Sequence, residues 1–359
     1  MPSVFHLMKT KSLLILTGLF LFLTIISGCK KNTTFSLSEI KQLTVDGDNG
    51  EAYFSSDNTH LVFQSKRHGD ECDKIYTITI DGMNLRKLPV TDGAFTCSYY
   101  SLDDEIIFFS STLQDGPGCP EVYKHPNPHK YIWPLRSFEI YSIDKNDELK
   151  RLTHSPGYNA EATVHPVEEK IIFTSLRDGD IDLYEMNYDG TQVTRITKEY
   201  GYDGGAFYSP DGKKLVWRGW YPETEVEKKQ WVGNLNNRYI EAVPLDIYVA
   251  NRDGSNKIRL TDNGATNWAP SWHPNGKYIV FSSNMDDWNP KYNSFGHNFE
   301  LYAIHIKNKE LQRLTHNDTF DSFPVFSKDG EKLVFSSNRN AENPRQTNIF
   351  IADVMWGLK

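Results

Sequence analysis

An all-β, six-bladed β-propeller of four-stranded antiparallel blades is the fold this sequence predicts, and three observations predict it. One pattern of turn, apolar strand and aromatic strand recurs six times along the chain. The 359 residues carry 20 Phe, 19 Tyr and 8 Trp beside 24 Gly and 17 Pro, a mixture suited to short half-buried strands joined by tight turns. A segment matching the outer strand of the repeat precedes the first unit, where it can complete the last and close the ring.

The first element is an address. Residues 13–26 form an apolar run, LLILTGLFLFLTII, behind Lys9 and Lys11 and ahead of Ser27, Gly28 and Cys29. A membrane-spanning helix needs about 20 apolar residues, so the shorter run reads as an export signal. Its end, Ile26-Ser27-Gly28-Cys29, resembles the lipobox of bacterial lipoproteins. That resemblance implies a signal peptide over 1–28, lipid on Cys29, a tether over 29–38 and a propeller over 39–359. It also implies a place in the bacterial cell envelope, periplasmic or outer-membrane associated. Met8, just before the lysines, is an alternative start.

The first half of each unit reads AYFSSDNTHLVFQS (52–65), SYYSLDDEIIFFS (98–110), ATVHPVEEKIIFTS (162–175), AFYSPDGKKLVWRG (206–219), PSWHPNGKYIVFSS (270–283) and PVFSKDGEKLVFSS (324–337). Each is two strands around a turn, with Pro presetting φ and Gly supplying a left-handed position. His165 and His273 replace the turn serine. The second half is another strand pair, as in EIYSIDKNDELKRLT, DLYEMNYDGTQVTRIT and DIYVANRDGSNKIRLT. Tyr76, Tyr141, Tyr184, Tyr248 and Tyr302 open the third strand. The last unit ends with its third, NIFIADV, and EIKQLT (39–44) supplies the missing fourth.

The turn residues Ser55, Ser101, His165, Ser209, His273 and Ser327 lie 46, 64, 44, 64 and 54 residues apart. A four-stranded blade takes about 40–45 residues, so the longer units carry insertions, which lie between strands two and three over 113–137, 220–243 and 286–297. All three decorate one face, where binding loops gather on a rigid scaffold.

These residues resemble the propeller of TolB, the periplasmic Tol-system family built from PD40 or WD40-like repeats; SPDGKKLVW, DIYVANRDGSNKIRLT and FSSNRN carry the likeness as a set. The resemblance covers 39–356 and implies a protein-binding propeller of the envelope. TolB proteins place an α/β domain ahead of the propeller, whereas here about ten residues separate Cys29 from the first strand. Propellers of this type also resemble the non-catalytic part of prolyl-oligopeptidase-like enzymes.

The decorated mouth of the channel is expected to carry Glu51, Glu161, Asp203, Asn267 and Asp321 beside Arg67, Arg177, Arg218, Asn284 and Arg339. Such rings can hold a peptide or carboxylate ligand, or a metal ion, by charge-assisted hydrogen bonds; the competing reading is mutual ion pairing between blades. Glu139, Asp182, Asp246, Glu300 and Asn348 recur just ahead of the third-strand aromatics in five of the six units and are assigned to the scaffold. Trp133, Trp220, Trp231 and Trp288, with Tyr131, Tyr221 and Tyr292, are candidate loop anchors, against a reading in which they pack beneath the loops. Of Cys72, Cys97 and Cys119 at most two can bridge in an oxidising compartment, as Cys97–Cys119 or Cys72–Cys97. Cys119, His125 and His129 offer a weak metal pattern, because Pro126 and Pro128 break any helix that would align the histidines.

The net charge of −8 without a basic block excludes a phosphate-reading protein. No nucleophile elbow, zinc-protease, P-loop or dinucleotide motif occurs, and no cofactor is expected beyond that channel metal. The chain therefore reads as a lipid-anchored scaffold gripping an envelope protein, peptide or glycan. Two alternatives stand beside it: a metal-assisted lyase or hydrolase of acidic glycans or peptides, and an accessory subunit of an envelope peptidase or transporter.

Overall fold

The turn chemistry of the repeat sets the first hairpin of each blade. In Ser209-Pro210-Asp211-Gly212 the Ser209 hydroxyl donates to Asp211 at 2.6 Å and accepts from the Lys214 N–H at 2.9 Å. Ser55, Ser101 and Ser327 donate to Asp57, Asp103 and Asp329 in the same way. His165 and His273 stand in for serine, their Nδ1 atoms accepting from the N–H groups of Glu168 and Asn275, each at 3.0 Å.

A computed structural model describes residues 33–67, 69–121, 132–241, 243–287, 298–318, 320–343 and 346–358. Within them six four-stranded antiparallel sheets form. Strand β1 (Thr33–Gln42) precedes blade 1, which is β2 (Asp48–Phe54), β3 (His60–Lys66), β4 (Lys74–Thr79) and β5 (Arg86–Lys87). Blade 2 is β6 (Phe95–Tyr100), β7 (Ile106–Ser111), β9 (Glu139–Asp144) and β10 (Leu149–Arg151), with β8 (Ile132–Pro134) in its insertion. Blade 3 is β11 (Asn159–Val164), β12 (Lys170–Ser175), β13 (Asp182–Asn187) and β14 (Thr194–Arg195). Blade 4 is β15 (Tyr202–Tyr208), β16 (Lys214–Trp220), β18 (Asp246–Asn251) and β19 (Ile258–Arg259), with β17 (Tyr239–Glu241) in its insertion. Blade 5 is β20 (Asn267–Trp272), β21 (Tyr278–Ser283), β22 (Glu300–His305) and β23 (Leu311–Arg313); blade 6 is β24 (Asp321–Phe326), β25 (Lys332–Ser337) and β26 (Asn348–Leu358), completed by β1.

Closure reuses a bond found in blades 2 to 5. The N–H of the second residue in the third strand donates to a threonine hydroxyl: Ile140 to Thr153 at 2.8 Å, Leu183 to Thr197 at 2.9 Å, Ile247 to Thr261 at 3.0 Å and Leu301 to Thr315 at 2.9 Å. In blade 6 Ile349 donates to Thr44 at 2.9 Å, so the N-terminal strand does the work of a fourth strand and no sheet edge stays open there. The repeated acids serve the same scaffold, with Glu139, Asp182, Asp246 and Glu300 paired to Arg151, Arg195, Arg259 and Arg313 of the fourth strands.

Strand β1 begins six residues earlier than the sequence suggested, so 33–38, assigned to a tether, are paired backbone: Thr33 lies opposite Leu358 and Ser38 opposite Asp353. Phe35 is buried there, edge-on to Tyr278 and Phe326. This arm projects past the Lys332 end of β25, on the face of the Ser-Pro-Asp-Gly turns, where Trp356 packs against His273. Residues 1–32, which include the expected signal peptide and Cys29, lie outside the described residues.

The insertions of blades 2 and 4 build a second layer on the opposite face. Strands β8 and β17 pair antiparallel, and helix α1 (Glu225–Asn236) stands between β16 and β17. Helix α1 starts on a capping box in which Thr224 and Glu227 satisfy each other's backbone N–H groups. It buries Trp231, with Ile240 and Leu245, over Tyr158, Ile181 and Tyr202 of the blades. The blade-5 insertion, 286–297, is described only to residue 287.

Candidate functional site

Every first strand carries a bulge at the same place, marked by register breaks between Gly50 and Tyr53, Thr96 and Tyr99, Ala160 and Thr163, Gly204 and Phe207, Trp268 and Ser271, and Ser322 and Val325. Its first residue takes a positive φ in all six blades: Glu51 53°, Cys97 49°, Glu161 60°, Gly205 60°, Ala269 47° and Phe323 55°. A left-handed conformation costs a non-glycine residue about 1–2 kcal/mol, yet the bulge turns these six side-chain positions onto the propeller axis. Two residues on, Tyr53, Tyr99, Thr163, Phe207, Ser271 and Val325 form a second ring. Tyr53 packs on Tyr99 at 5.1 Å and on Phe207 at 5.9 Å, plugging the axis, and only about 30 Å³ of space remains between the rings.

Above the first ring the axis opens on the decorated face into a cavity of about 960 Å³. Its aromatic wall is Phe95, Trp133, Phe138, Tyr158, Trp268, Phe299, Phe320 and Phe323; its charged lining is Asp48, Glu51, Asp73 and Glu161 with Arg136 and Arg218. The result is a blind funnel whose floor is the bulge ring.

The floor holds one clear ion pair. Gly205 replaces the side chain its ring position would otherwise bear, and a Cβ there would overlap the Arg218 guanidinium. Arg218, 4% exposed, fills that space, lies 3.6 Å over the Trp268 ring and pairs with Glu161. Glu161 also accepts from Thr174 at 2.7 Å and from the Gly205 N–H at 2.9 Å, locking blade 3 to blade 4. Burial, opposed by a hydrogen bond with the Cys97 thiol and reinforced by the Glu161 charge, pushes the Glu51 carboxyl up to about 7. Burial and nearby Asp48 raise Asp73 to about 6, with Arg136 opposing.

Of the ten residues expected at the mouth, Glu51, Glu161 and Arg218 line the funnel and seven do not. Asp203, Asn267 and Asp321 stand two residues before the bulge position, opposite Gly219, Ser283 and Ser337, and their side chains clasp the scaffold. Arg67, Arg177 and Arg339 follow the second strand and reach back to Asn49, Asn159 and Asp321, stacking over Tyr76, Tyr184 and Phe335. Asn284 is buried, accepting from the Thr266 N–H at 2.9 Å. Asp203 accepts from the Trp217 indole at 2.6 Å and from the Tyr221 hydroxyl. Cys97, Gly205, Ala269 and Phe323 complete the floor, and a fixed offset was their signal: each bulge residue lies four positions before the turn Ser or His.

Trp133 lines the funnel, edge-on to Trp268 at 4.7 Å. Trp231 is 1% exposed and donates to Asp180 at 2.9 Å, and Trp220 packs edge-on against it; both lie under the insertions rather than on a surface. Trp288, Tyr131, Tyr292, His125 and His129 lie outside the described residues. Cys72 bonds to Cys119, a pairing neither sequence alternative contained, because Cys97 points to the axis while the other two sit in adjacent loops of blades 1 and 2. Cys97 stays a buried thiol. Among the described residues no three His, Cys, Asp or Glu side chains converge as a metal-ligand set, and no helix is long and apolar enough to cross a membrane.

No family model matches the chain. A Tol-Pal system protein TolB of Francisella tularensis subsp. holarctica is 31% identical over 126 residues, covering 34% of this chain but only 25% of the relative. In structure, TolB from Acinetobacter baumannii superposes with a TM-score of 0.54 at 17% identity, over 86% of this chain and 66% of that one. An oligogalacturonate lyase solved in complex with manganese superposes at 0.51 and 15% identity, over 91% and 98%. At these identities both likenesses are of fold.

Proposed function

We propose that the chain, a TolB-like six-bladed propeller, is a cell-envelope binding scaffold that grips a protein or peptide in the funnel on its decorated face. The observation carrying this reading is the funnel itself: about 960 Å³, walled by aromatics from several blades, with the carboxylates of Glu51 and Glu161 in its floor. Specific ligand sites combine an apolar wall with a few placed polar groups in this way, and aromatic anchors dominate protein recognition. The curated TolB relative, named for the Tol-Pal system, supports an envelope protein as the kind of partner.

Lipid on Cys29 fits the same geometry. Thr33 begins β1 on the turn face, and the four residues back to Cys29 span at most about 14 Å. An anchor there holds the turn face to the membrane and leaves the funnel open away from it.

Co-purification from the native membrane tests the reading. The wild-type chain is expected to bring down a stoichiometric envelope protein that Trp133→Ala/Trp268→Ala loses while remaining folded. Retention of that protein by the double variant overturns the funnel as its site.

A further inference from the structure

The funnel has a definite chemical bias, and the inference drawn from it rests on the funnel being the partner site. Four carboxylates, Asp48, Glu51, Asp73 and Glu161, face two guanidinium groups, Arg136 and Arg218. Arg218 is committed to Glu161 and to the Trp268 ring, and Arg136 lies in the field of Asp73. Among the described residues, Glu51 Oε2, an acceptor when ionised, and Arg218 Nε, a donor, are buried at the floor with no hydrogen-bond partner. Leaving such groups unmet is costly, more so when they are charged. A ligand that satisfies both must bring a donor to Glu51 and an acceptor to Arg218.

We infer that the floor takes a lysine or arginine side chain of an extended partner segment, its cationic group on Glu51 and a peptide carbonyl on Arg218 Nε. The unbranched stem of such a residue suits the aromatic wall, and its charge gains from ring faces as well as from the carboxylate. An acidic side chain meets four carboxylates, and a neutral one leaves Glu51 without a charge-assisted partner.

Protons follow from this geometry. Glu51 faces Cys97 on β6, Glu161 on β11, Arg218 on β16 and Asp73 ahead of β4. Burial keeps it partly protonated near neutrality, so an arriving cation, which favours the carboxylate, displaces a fraction of a proton.

The test is calorimetry on the mature full chain in detergent with Ac-Gly-Lys-Gly-NH2, its Nε-acetyl-lysine counterpart and its glutamate counterpart. The lysine peptide is expected to bind at least tenfold more tightly than either. Paired buffers of different ionisation heat are expected to report proton release at pH 7, and affinity to rise from pH 6 to pH 8. In Glu51→Gln, with near-ultraviolet dichroism confirming the fold, lysine selectivity, proton release and the pH slope should vanish together. Asp73→Asn, at the wall, should cost no more than about threefold by the screened attraction of one more distant charge. Equal binding of the acetylated or acidic peptide, or unchanged lysine affinity in Glu51→Gln, overturns the inference. Partner capture persisting through Glu51→Gln, with no lysine selectivity, overturns it while leaving the scaffold reading intact. Lysine selectivity together with capture that survives Trp133→Ala/Trp268→Ala overturns the scaffold reading instead.

Discussion

Glu161 and Arg218 hold each other at the funnel floor where little water reaches either, so removing one partner strands the other. Arg218→Met is expected to destabilise the protein by about 3–5 kcal/mol in denaturant titrations, and Arg218→Met/Glu161→Gln to recover most of that loss. Gly205→Ala should behave like a mild version of the first change, because its Cβ would claim the guanidinium's space at a left-handed backbone. Glu51 gives a pH signature of opposite sense to an ordinary salt-bridged acid. Its folded carboxyl titrates at about 7 against about 4.3 unfolded, so the folded state holds the proton more tightly. Its contribution is therefore full below the unfolded value and lost as pH rises towards 7. The stability of Glu51→Gln minus that of wild type should climb by up to about 3 kcal/mol between pH 4.5 and 7.5, then level off; a flat difference contradicts the burial of that carboxyl. These residues were only partly legible in the sequence. Glu51 and Asp203 are both acids near the start of a first strand, but one sits on the bulge and the other two positions earlier in its own blade. A two-residue offset keeps the same parity along a strand, so alternation does not separate axis from scaffold here; the bulge does, and a bulge is invisible to residue type alone.

Among the elements, the disulfide and the insertions carry the decorated face. The Cys72–Cys119 bond closes 47 residues and staples the blade-2 insertion to blade 1. Cys72→Ser should cost about 2–4 kcal/mol, read as an earlier denaturant midpoint. Residues 33–359 without reductant should titrate one thiol when unfolded and almost none when native, since Cys97 is buried; two reactive native thiols contradict this bond. The strands themselves were readable from the repeat, down to Thr44 standing where Thr153 or Thr261 stands in other blades. Helix α1 escaped, although Thr224-Glu225-Val226-Glu227 spells its capping box, because its one buried aromatic, Trp231, gives no apolar stripe. The pairing of β8 with β17 escaped for another reason: it joins residues about 100 apart, and only the ring geometry brings two insertions over one blade.

For the whole molecule, closure and polarity matter together. Strand β1 seals blade 6 and leaves on the turn face, while the funnel opens on the other, so the N-terminal strand and the funnel lie at opposite ends of the propeller axis. Thr44→Val should weaken closure by about 1 kcal/mol, leaving the Ile349 N–H unmet, with hydrogen exchange rising first in β1 and β26. The fold was legible because each blade repeats the same statement; the funnel was not, because its floor depends on six bulges acting at once. The most direct measurement is site-specific photo-crosslinking in the native envelope, with benzoylphenylalanine at Trp133 or Phe320 in the funnel wall and at Val167 on the turn face. A discrete protein adduct is expected from the two funnel positions and none from Val167; adducts from Val167 alone would contradict the funnel as the partner site.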